Sequence, residues 1–421
     1  MTQPAFGEEL RRLRVQRGLS LRRLARQVHY DQGYVSKIEN GLKPPTGAFA
    51  TACDTVLDTG NMLTALVPET SRRGRTDPER TAAAAKEDEV KRLEFIAAVV
   101  AAGVGAALPG SPPPRRIGAN DVASYRDALT RLYQLDDQHG GGAVYELTLR
   151  TVRRLRDTLA RSSYDAETGR QLQSITGQAT EHAGWLAYDA GRHAEARYCW
   201  LEAMHTARMA DDAQTEMVVL SSMSLQAATS GRPGEAVDLA AADQRAARAR
   251  TTPRMRAVLL AREARGHAGQ GDAGHTWRAF NQADRELESG FSEADPSLLQ
   301  FFGHVDLALE RMRAAADLTD LVTAEQAGRE ALATIDQAAY PRNYTWCLAE
   351  FASLLLARGE REEALMVAAQ AVARMPEFGS KRITDQVGFV LRQLAAQRND
   401  PRVGDFLDWS TGILSGADAR P

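Results

Sequence analysis

Three glycines, Gly191, Gly231 and Gly271, stand at intervals of 40 residues. Each lies between two stretches that repeat small and apolar residues at helical spacing. The copies are AGWLAYDAGRHAEARYCWLEAM (183–204), SLQAATSGRPGEAVDLAAAD (224–243) and HAGQGDAGHTWRAF (267–280). A further turn without glycine falls near Asp317–Asp320, and LLLARGEREEALMVAAQAV (354–372) turns at Gly359. A period near 40 with two helices per copy marks a helical solenoid, because one pair cannot bury its apolar face alone. Ala187, Ala196, Ala236 and Ala364 leave room for paired helices to approach closely, and the turn glycines supply positive φ. Most of the chain from residue 120 onward is therefore expected to be stacked helix pairs.

At 421 residues the chain is too long for one ordinary core. Abundant Ala and Arg with only 6% aromatic residues favour helix over sheet. The net charge is −3, yet residues 1–45 hold nine Lys/Arg against four Asp/Glu, a local balance of +5. A basic end on an acidic body points to nucleic-acid contact at that end alone. Cys53, Cys199 and Cys347 lie far apart in apolar helical stretches, as reduced core thiols do, which fits a reducing cytoplasm. The opening MTQPAFGEEL lacks a charged-then-apolar signal pattern, so the expected location is cytoplasmic and nucleoid-associated.

The basic end resolves into short helices. Residues 6–18 form the first, with Leu10, Leu13 and Val15 apolar; Gly18 stops it and Ser20 caps the next. SLRRLARQVHYDQGYVSKIEN (20–40) reads as two helices joined by a tight turn. Leu21, Leu24, Ala25 and Val28 face inward from one, and Tyr34, Val35 and Ile38 from the other. The opposite face of the second offers Gln32, Ser36, Lys37 and Asn40, polar or cationic groups that suit a DNA major groove. Asp31 is placed to cap that helix, and Gly41 with two prolines ends it. Thr46 caps a fourth helix through Leu57, and Asn61–Val67 makes a fifth.

The expected domains are 1–67, a linker over 68–119, and 120–421. Residues 68–92, with Arg72-Arg73-Gly74-Arg75, are a charged tether or a phosphate contact. The apolar run Leu93–Leu108 has sixteen residues with one Glu and two glycines, short of the roughly 20 a bilayer crossing needs. A helix docked on the body or on a partner subunit is the expectation; a membrane anchor is the alternative. Pro109–Pro114 breaks the chain again.

The run LRRLRVQRGLSLRRLA, then YVSKIENG and the proline pair, resembles the DNA-binding domain of the Xre/Cro/phage-repressor family over residues 6–66. WLAYDAGRHAEA and LLLARGEREEAL resemble tetratricopeptide repeats, with a period longer than the usual 34. The whole arrangement resembles tetratricopeptide-bearing Xre-type regulators of actinobacteria and, in architecture, the peptide-sensing regulators of Gram-positive quorum systems. The fold class that follows is all-α: a five-helix, lambda-repressor-like helix-turn-helix domain, a linker, and an α-solenoid of tetratricopeptide-like pairs.

The resemblance places Asp31–Asn40 in the major groove of double-stranded DNA. Gln32 would then pair with adenine and Lys37 donate to guanine. Tyr34 either meets DNA or packs on the second helix; Ser36 and Asn40 bind phosphate or support the turn. Arg22 and Arg23 stand where this fold clamps phosphate, and Lys43 meets the backbone. By the same pattern Arg14 and Glu39 form a structural ion pair. One such module buries little surface, so a homodimer reading an inverted-repeat operator is expected.

The solenoid groove suits an extended peptide, a protein segment or a small molecule. Candidate lining residues on the first helices are His182, Trp185, Gln226, Arg262, His267, His304, Arg311 and Trp346. The tryptophans also occupy positions that packing residues fill, and each lone His is compatible with a structural role. No P-loop, GxGxxG after a strand or HExxH is present, and the eight histidines show no metal spacing. No catalytic residue, metal or cofactor is therefore assigned, and the chain reads as a ligand-responsive transcription regulator rather than an enzyme. The alternatives are a scaffold using its helix-turn-helix for protein contact, and a membrane-tethered regulator.

Overall fold

The computed structural model describes residues 6–28, 32–39, 45, 47–57, 59–67, 116–139, 141–246, 251–290, 292, 294–296, 299, 302–378 and 380–415. The molecule is all-α. Among the described residues the sole strand-like pairing is an isolated bridge between Arg116 and Ser163. The chain divides into two compact units, whose described parts are 6–67 and 116–415.

The first unit comprises α1 (Phe6–Gln16), α2 (Leu21–Gln27), α3 (Gln32–Glu39), α4 (Gly47–Leu57) and α5 (Met62–Ala65). Leu10, Leu13, Leu24, Ala25, Val28, Val35, Ile38, Phe49, Cys53, Leu57 and Leu63 bury one another in a single core. Each large side chain there contributes ~1.5–3 kcal/mol by leaving water. Val15 departs from expectation and is 62% exposed. It lies two residues past Leu13, about 200° around the helix, so it turns away from the core. Phe6 and Gly7 fill the inward face instead. Gly7 is required there: a Cβ would stand 2.3 Å from the carbonyl oxygen of Ile38, where α1 crosses α3. Gly18, at φ +64°, ends α1 as expected, and Ser20 Oγ accepts from the backbone N–H of Arg23 at 3.2 Å. The caps assigned to Asp31 and Thr46, the tether 68–92, the apolar run 93–108 and the proline break lie outside the described residues.

The second unit stacks helix pairs: α6 (Ala119–His139) with α7 (Gly141–Arg161), α8 (Ala166–Asp189) with α9 (His193–Met209), α10 (Ala213–Thr229) with α11 (Pro233–Ala246), α12 (Pro253–Gly269) with α13 (Ala273–Glu288), α14 (His304–Asp317) with α15 (Leu321–Thr334), α16 (Pro341–Ala357) with α17 (Arg361–Arg374), and α18 (Lys381–Ala395) with α19 (Pro401–Ser415). The repeat glycines Gly191, Gly231, Gly271 and Gly359 all carry positive φ, from +71° to +82°. The turn without glycine is made by Thr319 at φ +60°. Ala187, Ala196, Ala236 and Ala364 are fully buried between helices. Asp165, Asp212, Thr252, Asp272, Asp320 and Ser380 cap the helices that follow them, each accepting from a backbone N–H three residues on. Cys53, Cys199 and Cys347 are buried free thiols. No helix among the described residues is long and apolar enough to cross a membrane.

The two ends of the solenoid meet. First helix α6 meets α16, far along the chain. Arg342 on α16 sets Nη1 2.8 Å from Asp136 Oδ1 on α6 and 3.3 Å from Asp189 Oδ2 on α8. Arg382 on α18 sets Nε 3.1 Å from Asp189 Oδ1. This ionic clasp is almost wholly buried. It joins early repeats to late ones and turns the stack into a ring.

Candidate functional site

The first unit presents α2 and α3 as a joined pair. Val35, Ile38 and Glu39 fix the inward face of α3. Glu39 is held by Arg14: Nε to Oε1 is 2.6 Å and Nη2 to Oε2 is 2.9 Å, while Nη1 donates to the carbonyl of Leu19 at 2.8 Å. This two-pronged pair braces α1 against α3, as the family resemblance implied. The hydrogen bond to Glu39 raises the Arg14 pKa further despite partial burial. Asp54 performs a similar task for α5. It accepts from Thr59 Oγ1 (2.6 Å), Leu63 N (2.9 Å), Thr64 N (2.8 Å) and Thr64 Oγ1 (2.7 Å). Burial pushes its carboxyl up, but these hydrogen bonds outweigh it and hold the pKa below the usual range.

Of the residues assigned to DNA, Arg22 and Arg23 are exposed at the start of α2 and Ser36 is half-buried on α3. The backbone of α3 carries Gln32, Tyr34 and Lys37, whose side chains lie outside the described set, as do Asn40 and Lys43 entirely.

The second unit holds a cavity of about 480 Å³ inside the ring. Every first helix from α6 to α18 contributes to its wall. One side holds Tyr133, Asp136, Glu181 and His182; the facing side holds Arg262, Asp306, Glu310 and Arg313. Val218, Leu225, Leu299, Phe302 and Leu309 supply apolar surface. Trp185 and Trp346 meet across Arg382, whose guanidinium carbon is 5.6 Å and 4.8 Å from their ring centres; Arg313 covers Trp346 at 5.1 Å. The volume is that of a small-molecule site.

The wall mixes satisfied and unsatisfied charge. Arg262 Nη1 is 2.5 Å from Glu310 Oε1, and Arg265 Nε is 3.4 Å from its Oε2. Burial raises the Glu310 pKa, but Arg262, Arg265 and Arg313 overcome it and keep the acid ionised. Burial likewise opposes ionisation of Asp189, which Arg342 and Arg382 reverse. Glu181 is different. Burial pushes it up to about 7, against a 2.8 Å hydrogen bond from Ser222. Asp306 is also raised by burial to about 7, its backbone partner Gly303 N at 3.2 Å opposing. Burial drives His182 down to about 4, so its ring is neutral. The edge of that ring meets Tyr133 at 4.7 Å between centres. His182 Nε2 and the Tyr133 hydroxyl are buried without hydrogen-bond partners.

Four expected lining residues, His182, Trp185, Arg262 and Trp346, come together here. The other four do not. Gln226 is buried, its Nε2 donating to the carbonyl of His193 at 3.0 Å. His267 sits by the α12–α13 turn, stacked on His275 at 4.9 Å. His304 is exposed at the start of α14. Arg311 pairs with Asp284 at 2.7 Å and covers Phe280. The sequence reading missed Asp136, Glu181, Asp306, Glu310, Arg342 and Arg382. Charged residues on amphipathic helices read as solvated faces, and only the closing of the ring makes these interior.

Residues 5–66 match the family model described as a helix-turn-helix domain. No curated protein matches the chain. Among solved structures, the chain is similar to PlcR of Bacillus thuringiensis, crystallised in complex with the peptide PapR7 and DNA. The identity is 14% and the TM-score 0.32, over 86% of this chain and 99% of that one.

Proposed function

Residues 5–66 being a helix-turn-helix domain, we propose that this chain is a sequence-specific, DNA-binding transcription regulator. Gln32 and Lys37 on α3 read base edges, with Tyr34, Ser36 and Asn40 beside them. Arg22, Arg23 and Lys43 hold phosphates. The single observation that carries this is the family match over a unit whose balance is +5 across residues 1–45. Two copies read the two halves of an inverted repeat, since one module of this size buries too little surface for tight specific binding.

The second unit is the sensor in this reading. A cavity of about 480 Å³ has the volume of a small-molecule site, so a small molecule is the favoured effector over an extended peptide. A ligand there contacts helices on both sides of the clasp, so its binding energy biases the ring between closed and relaxed forms and thereby the operator affinity. DNA recognition is tested by selecting bound sequences from random duplexes and footprinting the winner. The expected result is one protected inverted repeat whose affinity falls steeply with salt. Equal affinity for all duplexes would reject the reading. Sedimentation with the selected duplex reads the stoichiometry, expected at two chains per site.

A further inference from the structure

Away from the cavity, the turn between α12 and α13 gathers His267, Asp272 and His275. One donor atom from each lies within 4.8 Å of the others. His267 ends α12, Asp272 is the N-cap of α13, and His275 is in its first turn. The two imidazoles stack 4.9 Å apart with planes inclined by 28°. Asp272 spends Oδ1 on the backbone N–H of His275 at 3.0 Å and offers Oδ2, 2.6 Å from His275 Nδ1. One turn before His267, Glu263 sets Oε1 3.6 Å from its Nε2. The buried His267 Nδ1 has no hydrogen-bond partner.

We propose that His267, Asp272 and His275 form a binding site for a borderline divalent transition ion of the zinc class. Two imidazoles and one carboxylate are the donor set such an ion selects. Three protein ligands leave a fourth position for water. With bonds of about 2.0–2.1 Å the donors need to stand about 3.4 Å apart. Closing the site requires His275 to turn out of its stack with His267 so that both imidazole lone pairs point at one ion, and the exposure of its side chain (55%) and of Asp272 (42%) leaves room for that turn. Glu263 orients the His267 ring from outside the coordination sphere. The ion would tie the last turn of α12 to the first turn of α13.

The spacing H-x4-D-x2-H straddles a helix break. That is why the histidines show no metal pattern when the sequence is scanned for pairs on one helix.

The test is zinc titration of the untagged, chelator-treated full chain against a chromogenic competitor. His267→Gln and His275→Gln are the variants, and His205→Gln, exposed on α9, is the control. The expected result is one zinc per chain for the parent and for His205→Gln, with affinity falling at least tenfold in the other two. Zinc should also raise the parent's melting temperature and leave that of His275→Gln unchanged. His275 is more than half exposed, so that variant folds even if His267→Gln does not. No zinc uptake by the parent, or parent-like uptake by His275→Gln, would overturn the proposal. The outcome does not depend on whether the chain binds DNA.

Discussion

At the scale of single residues, the molecule rests on a few carboxylates whose surroundings set their charge. Glu39 is held by Arg14 with little water access. Glu39→Ala strands that guanidinium and should cost about 3 kcal/mol, read as a lower melting temperature of the first unit. Loss of DNA binding with unchanged stability would instead make Glu39 a reading residue. Asp54 carries a depressed pKa. Its stabilising effect is therefore complete above the ordinary carboxylate range, about pH 4, and fades as pH falls through the lower, folded value. Asp54→Ala should unravel α5 and flatten this part of the acid-unfolding curve. Glu181 behaves in the opposite sense, because burial lifts it to about 7. Its ionisation works against folding as pH rises from about 4 toward 7. Glu181→Gln should therefore gain on the parent between pH 4.5 and 8, by about 1–3 kcal/mol. A constant gap across that range would show that the carboxyl keeps its charge by other means.

At the scale of elements, turn chemistry explains both what could be read in the sequence and what could not. The interval of 40 located the turns at Gly191, Gly231 and Gly271, and the copy LLLARGEREEAL located the one at Gly359, because a helix pair ending in a left-handed residue selects glycine. The turn expected near Asp317–Asp320 has no glycine to mark its position, and there the left-handed residue is Thr319, a β-branched residue held at φ +60°. Segment 289–303 also stretches the turn-to-turn spacing there. Thr319→Gly should relieve the backbone strain and stabilise the protein by about 1 kcal/mol, seen as a raised melting temperature. Helical spacing found the inward residues of α1 and α2, and Val35 and Ile38 of α3, and missed at Val15, where composition was apolar but phase was wrong. Gly266 carried no sequence signal. A Cβ there would meet Val237 Cγ2 at 2.6 Å and Val237 N at 2.9 Å. Gly266→Ala should push α12 off α11 and cost about 1–3 kcal/mol.

At the scale of the whole molecule, stacked pairs were legible and ring closure was not. The rotation from one pair to the next is set by interface packing, to which no residue spacing refers. The clasp of Arg342 and Arg382 on Asp136 and Asp189 depends on that accumulated rotation. So does the cavity, whose polar wall comes from helices more than a hundred residues apart. The short helices α1 to α3 were legible from the sequence, since their neighbours in space are also their neighbours in sequence. The measurement closest to the central claim is the operator affinity of Gln32→Ala/Lys37→Ala, made in the full chain with helix content and melting temperature matched to the parent. The account predicts at least a hundredfold loss on the selected inverted repeat, while weak binding to unrelated duplex survives through Arg22 and Arg23. Unchanged discrimination between operator and unrelated DNA would contradict it.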